Sequence, residues 1–124
     1  LEARMNFAIA EGVPENRIQL DPGIGFGKTP RHNLELLDGL RKIAALGRPV
    51  VIGVSRKSFI GAIAESAGGS GSDVADRLPG TIAANVIALQ RGARVFRVHD
   101  VAEAAQSLAV AAAVEAVRGG APAG

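Results

Sequence analysis

The sequence predicts an α/β protein built around a parallel sheet, and three features of its 124 residues lead there. Strand-like runs, "RIQL" at 17–20, "PVVIGVS" at 49–55 and "RVFRV" at 94–98, recur at intervals of roughly 35–45 residues, each followed by a helical pattern. The middle run is almost wholly apolar, as a strand covered on both faces must be. Intervals this long hold a crossover helix rather than a hairpin turn, so neighbouring strands run parallel. A doubly wound sheet and a (β/α)8 barrel both meet these terms. A barrel takes about 250 residues, so this chain would supply only part of one, a helix and three strand–helix units.

Each element has its own signal. Leu1, Met5 and Ile9 recur every four residues, predicting an amphipathic helix over 1–11 that stops at Gly12. "RIQL" reads as the first strand, and a Gly-rich loop spans 21–30. Leu34, Leu37, Leu40 and Ile43 with Ala44 then lay an apolar stripe along one helix ending at Gly47. After the 49–55 strand, "RKSFIGAIAES" reads as a loop running into a short helix, and "AGGSGSD" as a flexible loop within the domain. A helix follows over roughly 75–91, with Pro79 in its first turns where a missing N–H is tolerated. The 94–98 strand precedes Asp100, read as the cap of a final Ala-rich helix with Glu103 as capping-box partner. The folded unit is expected over 1–118, with 119–124 a disordered Gly/Pro/Ala tail.

Composition narrows the function. Fourteen Lys and Arg against twelve Asp and Glu leave a net charge of +2 with no basic run, and four Phe with no Trp or Tyr make no stacking platform. Nucleic acid is therefore not an expected partner. No run of about 18 apolar residues exists to cross a bilayer, so no membrane partner is expected either. The absence of cysteine removes disulfides and thiolate zinc sites, fits a reducing compartment and sets the cytoplasm as the expected location. Leu1 stands where a start Met would, with no signal-peptide pattern near it, so the chain is expected to begin inside something longer.

The loop "LDPGIGFGKTPRHN" (20–33) ends in Gly-Lys-Thr but is no Walker loop: five positions before Gly27 stands Pro22, which has no N–H to offer a phosphate. Gly23, Gly25 and Gly27 are spaced G-x-G-x-G, which also misses the dinucleotide fingerprint. What remains is a strand ending at Asp21 followed by a Pro-Gly turn. On its own, such an Asp is a turn residue that bonds its neighbouring backbone.

The other strand ends change that weighting. Arg56-Lys57-Ser58 follows the second strand, and the third ends "RVHD", where Arg97 and His99 share a face at period two. In parallel α/β sheets, ligands bind at the carboxyl ends of the strands. A carboxylate there suits a guanidine-like N–H edge, Lys57 a ring carbonyl or nitrogen, and Arg97 with His99 a leaving anion of phosphate type. Gly53, inside a strand, suggests close approach of a flat ligand to the backbone. His32 lies away from these ends and is assigned no role.

"LDPGIGFGKT", "GVSRKSFIG", "RLPGT" and "FRVHDV", in this order and spacing over residues 1–118, closely resemble the carboxyl-terminal part of the dihydropteroate synthase family. The resemblance implies a pterin-binding (β/α)8 TIM barrel of which this chain matches strands six to eight and the helix before them. It implies condensation of 6-hydroxymethyl-7,8-dihydropterin diphosphate with 4-aminobenzoate, in which diphosphate departs first with Mg²⁺ assistance and the arylamine captures the pterin cation. Asp21, Gly53, Lys57 and Arg97 would bind the pterin, Arg97 and His99 the diphosphate, and Phe26 and Ser58 would lie near the aminobenzoate. Lys57, Arg97 and His99 would form the catalytic group, and no magnesium ligand is expected within this chain. The family's first-strand Asn, its two mobile loops and its mid-barrel Asp and Asn have no counterpart here, so the chain alone is expected to be inactive, and the full-length protein to be a homodimer using late helices. Two alternatives stand beside this: a non-catalytic half-barrel acting as an assembly partner, and a pterin-barrel methyltransferase, which would not need the Arg97 and His99 anion pair.

Overall fold

A computed structural model describes residues 1–119. The expected tail falls almost wholly on 120–124, outside the described residues. Helix α1 (Glu2–Ala10) leads through a 3₁₀ turn at Glu15–Arg17 to the Gly-rich loop, and α2 (Pro30–Asp38) and α3 (Leu40–Ala44) follow it. Strand β1 (Val50–Ile52), helix α4 (Ser58–Ser66), a 3₁₀ turn at Val74–Arg77, helix α5 (Leu78–Gln90), strand β2 (Ala93–Phe96) and helix α6 (Val101–Arg118) complete the order.

The sheet is parallel, as expected, with β1 beside β2 and Val50, Val51 and Ile52 opposite Ala93, Val95 and Phe96. The register slips between Val50 and Val51, so Arg94 is the extra residue. "RIQL" is not a strand. Only Leu20 pairs, as a single parallel bridge to Val50, donating to the Pro49 carbonyl at 2.9 Å and accepting from the Val51 N–H at 2.8 Å. The next ladder bond would need an N–H from Pro49, which has none, and the Ile18 carbonyl accepts Arg48 Nε at 3.1 Å instead. The chain order Leu20, β1, β2 is nonetheless the spatial order, each parallel segment beside the one before it.

Three further expectations are corrected. The helix predicted through Leu34–Ala44 breaks at Gly39, whose φ of −89° and ψ of 8° close α2 and open α3; Leu37 and Leu40 are buried, whereas Leu34 is exposed. The helix expected from 75 begins with the 3₁₀ turn, and α5 proper starts at Leu78 with Pro79 in its first turn. Asp100 stands at the N-cap of α6 but makes no side-chain cap bond, because Arg56 holds both its oxygens, as described below.

The core joins Val50, Ile52 and Val54 of the β1 run to Ile24, Leu37, Leu40, Phe59, Ile60, Ala84, Ala88 and Ala93. Each fully buried Leu or Ile contributes about 1.5–3 kcal/mol relative to exposure, and the alanines let α5 lie close against the sheet. This core fixes the tips of the parallel segments, where the polar residues gather. No described helix is long and apolar enough to cross a membrane.

Candidate active site

The Gly-rich loop is built from within. Asp21 Oδ1 accepts the Gly23 N–H at 2.8 Å, the local turn its sequence context predicts. Lys28 bends back to the Gly23 and Phe26 carbonyls at 2.8 and 3.2 Å, and Thr29 caps α2 by accepting the His32 N–H at 3.2 Å, so the Gly-Lys-Thr serves the loop and the helix start rather than a phosphate. Asn33, buried in α2, accepts the Gly25 N–H at 2.8 Å and ties the loop to the helix. Gly25 has φ of +89°, and a Cβ there would meet Lys57 Cδ at 2.6 Å, so both its conformation and the lysine beside it require glycine.

Asp21 is more than a turn residue. Its second oxygen, Oδ2, accepts Arg97 Nη2 at 2.7 Å across 76 residues of sequence. The pair is open to solvent, with 56% of the arginine side chain and 32% of the aspartate side chain exposed. Gly53, just past β1, lies under Arg97: a Cβ there would meet Nη2 at 2.6 Å and Nε at 3.0 Å, crowding that the exposed end of the arginine relieves by shifting. The close approach expected of a flat ligand at Gly53 is made here by the flat guanidinium of Arg97.

Gly53, Ser55 and Lys57 from the first tip and Arg97, Val98 and His99 from the second, with Phe26 from the loop, line one hollow of about 280 Å³. Lys57 spans it, donating to the Ile24 carbonyl at 3.2 Å and lying 4.0 Å from the centroid of the exposed Phe26 ring. A cation over an aromatic face is stabilised by the ring quadrupole, by about 0.5–1 kcal/mol at an exposed site. Of the residues read from sequence, Gly53, Lys57, Arg97, His99 and Phe26 thus line one hollow, and Asp21 joins them through its bond to Arg97. Ser58 stands apart as the exposed first residue of α4 and does not line the hollow. His32 is exposed on α2.

Two contributions escaped the sequence reading. Ser55, 6% exposed, touches the His99 ring at Nδ1 (2.7 Å) and accepts the His99 N–H at 3.1 Å. The alternation of 53, 55 and 57 along one tip was the signal for it. Next to that pair, Arg56 donates from Nη2 and Nε to the two Asp100 oxygens at 2.8 and 3.2 Å. Arg56 is also the one non-glycine with positive φ (59°) among the described residues; its N–H goes to Thr81 Oγ1 at 3.1 Å and its carbonyl accepts Arg77 Nη1 at 3.0 Å. The hydrogen bond from Arg56, with its charge, holds the Asp100 carboxyl below its ordinary pKa.

The donor set does not suit a metal. Among the described residues no three His, Cys, Asp or Glu side chains gather, both Asp21 oxygens are engaged, and Lys57 and Arg97 make the hollow cationic. It is an anion and a flat N–H-rich ring that these groups fit.

That pairing defines a class of protein, and the profile of the pterin binding enzyme family matches residues 1–99: the chain belongs to that family. Within it the resemblance is to dihydropteroate synthases. The chain is 39% identical over 110 residues to the one from Haemophilus influenzae, covering 89% of this chain and 38% of that one. It is 45% identical over 109 residues to the one from Neisseria meningitidis serogroup C, covering 87% and 37%. The Xanthomonas albilineans dihydropteroate synthase, solved with 4-aminobenzoic acid, superposes with a TM-score of 0.84 at 39% identity, over 92% of this chain and 40% of that one. The fold is therefore part of a TIM barrel, and the chain spans less than two-fifths of the length of these curated relatives.

Proposed function

We propose that this chain is the carboxyl-terminal part of a dihydropteroate synthase, joining 6-hydroxymethyl-7,8-dihydropterin diphosphate to 4-aminobenzoate in folate biosynthesis. The observation that carries the reading is that Lys57, Arg97 and His99 line one hollow while Asp21, from a third segment, is bonded to the Arg97 at it. In the reaction the bond from the pterin methylene carbon to the diphosphate oxygen breaks, a bond from that carbon to the arylamine nitrogen forms, and the amine loses a proton. Such a step needs anion stabilisation and alignment more than a nucleophile; no Cys or carboxylate lines the hollow, and its Ser55 hydroxyl is buried against His99.

Asp21 takes the pterin amino and N3 edge, Lys57 reaches its carbonyl side, and Gly53 leaves room for the ring once Arg97 moves. Arg97 and His99 receive the diphosphate, and Asp21 favours the transient cation electrostatically. Phe26 borders the aminobenzoate, and Ser58, which lies outside the hollow, is assigned to it by the family resemblance alone. Magnesium, implied by the family resemblance, would need ligands from outside this chain and from the diphosphate itself, and no step here runs through it. The full-length protein works as a cytoplasmic homodimer, with the exposed stripe of Val110, Val114 and Val117 on α6 as its contact.

Taken alone, the 124 residues do not turn over. Leu20 leaves its sheet edge unpaired beyond one bridge, and beside it Leu1, Met5, Phe7, Val13 and Ile18 line an open apolar hollow of about 450 Å³, surface that further strand–helix units would cover. The test is to assay dihydropteroate formation by the chain alone and with a supplied amino-terminal half-barrel. Activity only in the second arm is expected; a normal enzyme rate from the chain alone refutes the partial-barrel reading. Competition by inorganic diphosphate for pterin binding is expected too, and its absence would favour a pterin-barrel methyltransferase.

A further inference from the structure

We infer that Ser55 is the positioning residue that fixes the tautomer of His99, holding Nε2–H as the proton the ring presents to an anion in the hollow. This deepens the diphosphate reading above and rests on it for the identity of the anion, but the proton assignment stands on the geometry alone.

A serine hydroxyl has one proton to give and two lone pairs to offer. At Ser55 one lone pair accepts the His99 backbone N–H at 3.1 Å. The remaining contact is His99 Nδ1 at 2.7 Å, and no third partner of Ser55 Oγ is found among the described residues. Were Nδ1 to carry the proton, Oγ would accept twice and its own proton would be buried without an acceptor, since Ser55 is 6% exposed. Leaving a buried donor unmade costs about 1–3 kcal/mol, more than a net neutral hydrogen bond returns. The low-energy arrangement is therefore O–H donating to an unprotonated Nδ1, which leaves the imidazole proton on Nε2. With Nδ1 held against the buried wall and the rest of the ring exposed, Nε2–H is the donor available to the hollow that His99 lines.

The neighbouring pair keeps this contact in register. Arg56 follows Ser55 and Asp100 follows His99, and their two hydrogen bonds clamp the same two strand tips one residue further on. Arg56 in turn is held through its N–H by Thr81 and through its carbonyl by Arg77. Ser55 and His99 are thus presented to each other by a frame that does not depend on a bound ligand.

The chain has two histidines, which makes the test direct. A long-range ¹H–¹⁵N spectrum of the ¹⁵N-labelled chain, recorded about two units above the ordinary imidazole pKa of about 6.5, separates protonated from unprotonated ring nitrogens. His32, exposed and with no ring contact among the described residues, reports the mixed tautomers of a free side chain. His99 is expected to show a fully protonated Nε2 and a bare Nδ1. Ser55→Ala should return it to the His32 pattern and weaken inorganic diphosphate binding roughly three- to tenfold, the worth of one hydrogen bond, and Ser55→Thr, which keeps the hydroxyl, should restore both.

A His99 that carries its proton on Nδ1, or matches His32 in the unaltered chain, overturns the inference, and that spectrum decides even if Ser55→Ala fails to fold. So does a Ser55→Ala spectrum identical to the original. If the tautomer is as expected but added diphosphate leaves the His99 nitrogens unmoved, the Ser55 assignment stands and the diphosphate reading falls.

Discussion

Two arginines follow neighbouring strands and each reaches across to an aspartate, yet they are held in opposite ways. Arg56 is held at four points: Nε and Nη2 on Asp100, its N–H on Thr81 and its carbonyl under Arg77, with a backbone at φ of 59° that a bulky residue adopts only where its surroundings insist. Arg97 is held by a single side-chain bond to Asp21, over a strand made bare by Gly53, with more than half its side chain in solvent. The difference separates frame from working part. On the proposed function, the arginine that meets the ligand is left one replaceable partner, whereas the one that joins two loops is tied at four points.

The largest effect that would sharpen this contrast is on anion binding. In the assembled barrel, Arg97→Ala should weaken the diphosphate substrate roughly ten- to a hundredfold, the range for hydrogen bonds to charged groups, and free pterin far less. Isothermal titration with both ligands checks it, and equal losses would contradict the anion role. Asp21→Asn comes next, costing about 1–3 kcal/mol of pterin affinity; unchanged affinity would return Asp21 to the turn it makes with Gly23.

Stability should divide the other way. Arg97→Ala should change the unfolding free energy by no more than about 1 kcal/mol, because an exposed ion pair contributes little. Arg56→Ala should lower the melting temperature by clearly more, since it frees both strand tips. Matching melting curves for the two variants would erase the distinction. The smallest effect is in acid. The Asp100 carboxyl is held below its ordinary pKa by the Arg56 hydrogen bond and charge, so its contribution is complete above the unfolded carboxylate value of about 3.9 and is lost as pH falls through the lower folded value. Urea midpoints of the parent and Asp100→Asn should therefore converge below that range and separate above it.

Much of this was legible in the chain itself. The apolar run at 49–55 held β1, and Arg97 and His99 both reach the hollow, although they lie past the end of β2 and Val98 between them lines it too, so their place at a strand end rather than strand alternation put them there. Local pattern failed where a distant partner decided the outcome. "RIQL" has strand character but meets Pro49, which has no N–H to extend the ladder, and Asp100 has every mark of a helix cap but is claimed by Arg56, 44 residues away. Ser55 and Asn33 carry no local mark of their roles: the Ser55 hydroxyl meets a ring 44 residues away, and the Asn33 amide goes to the backbone of a loop eight residues earlier.

The guanidinium resting on Gly53 has a thermodynamic corollary. On the proposed function, an entering uncharged heterocycle would find Asp21 already paired with Arg97, so association trades one charge-assisted contact for another and its heat should be small. Raising ionic strength loosens the resident counter-ion before it weakens a neutral newcomer, and such a molecule should therefore be captured more tightly in salt, the reverse of what a phosphorylated one would do.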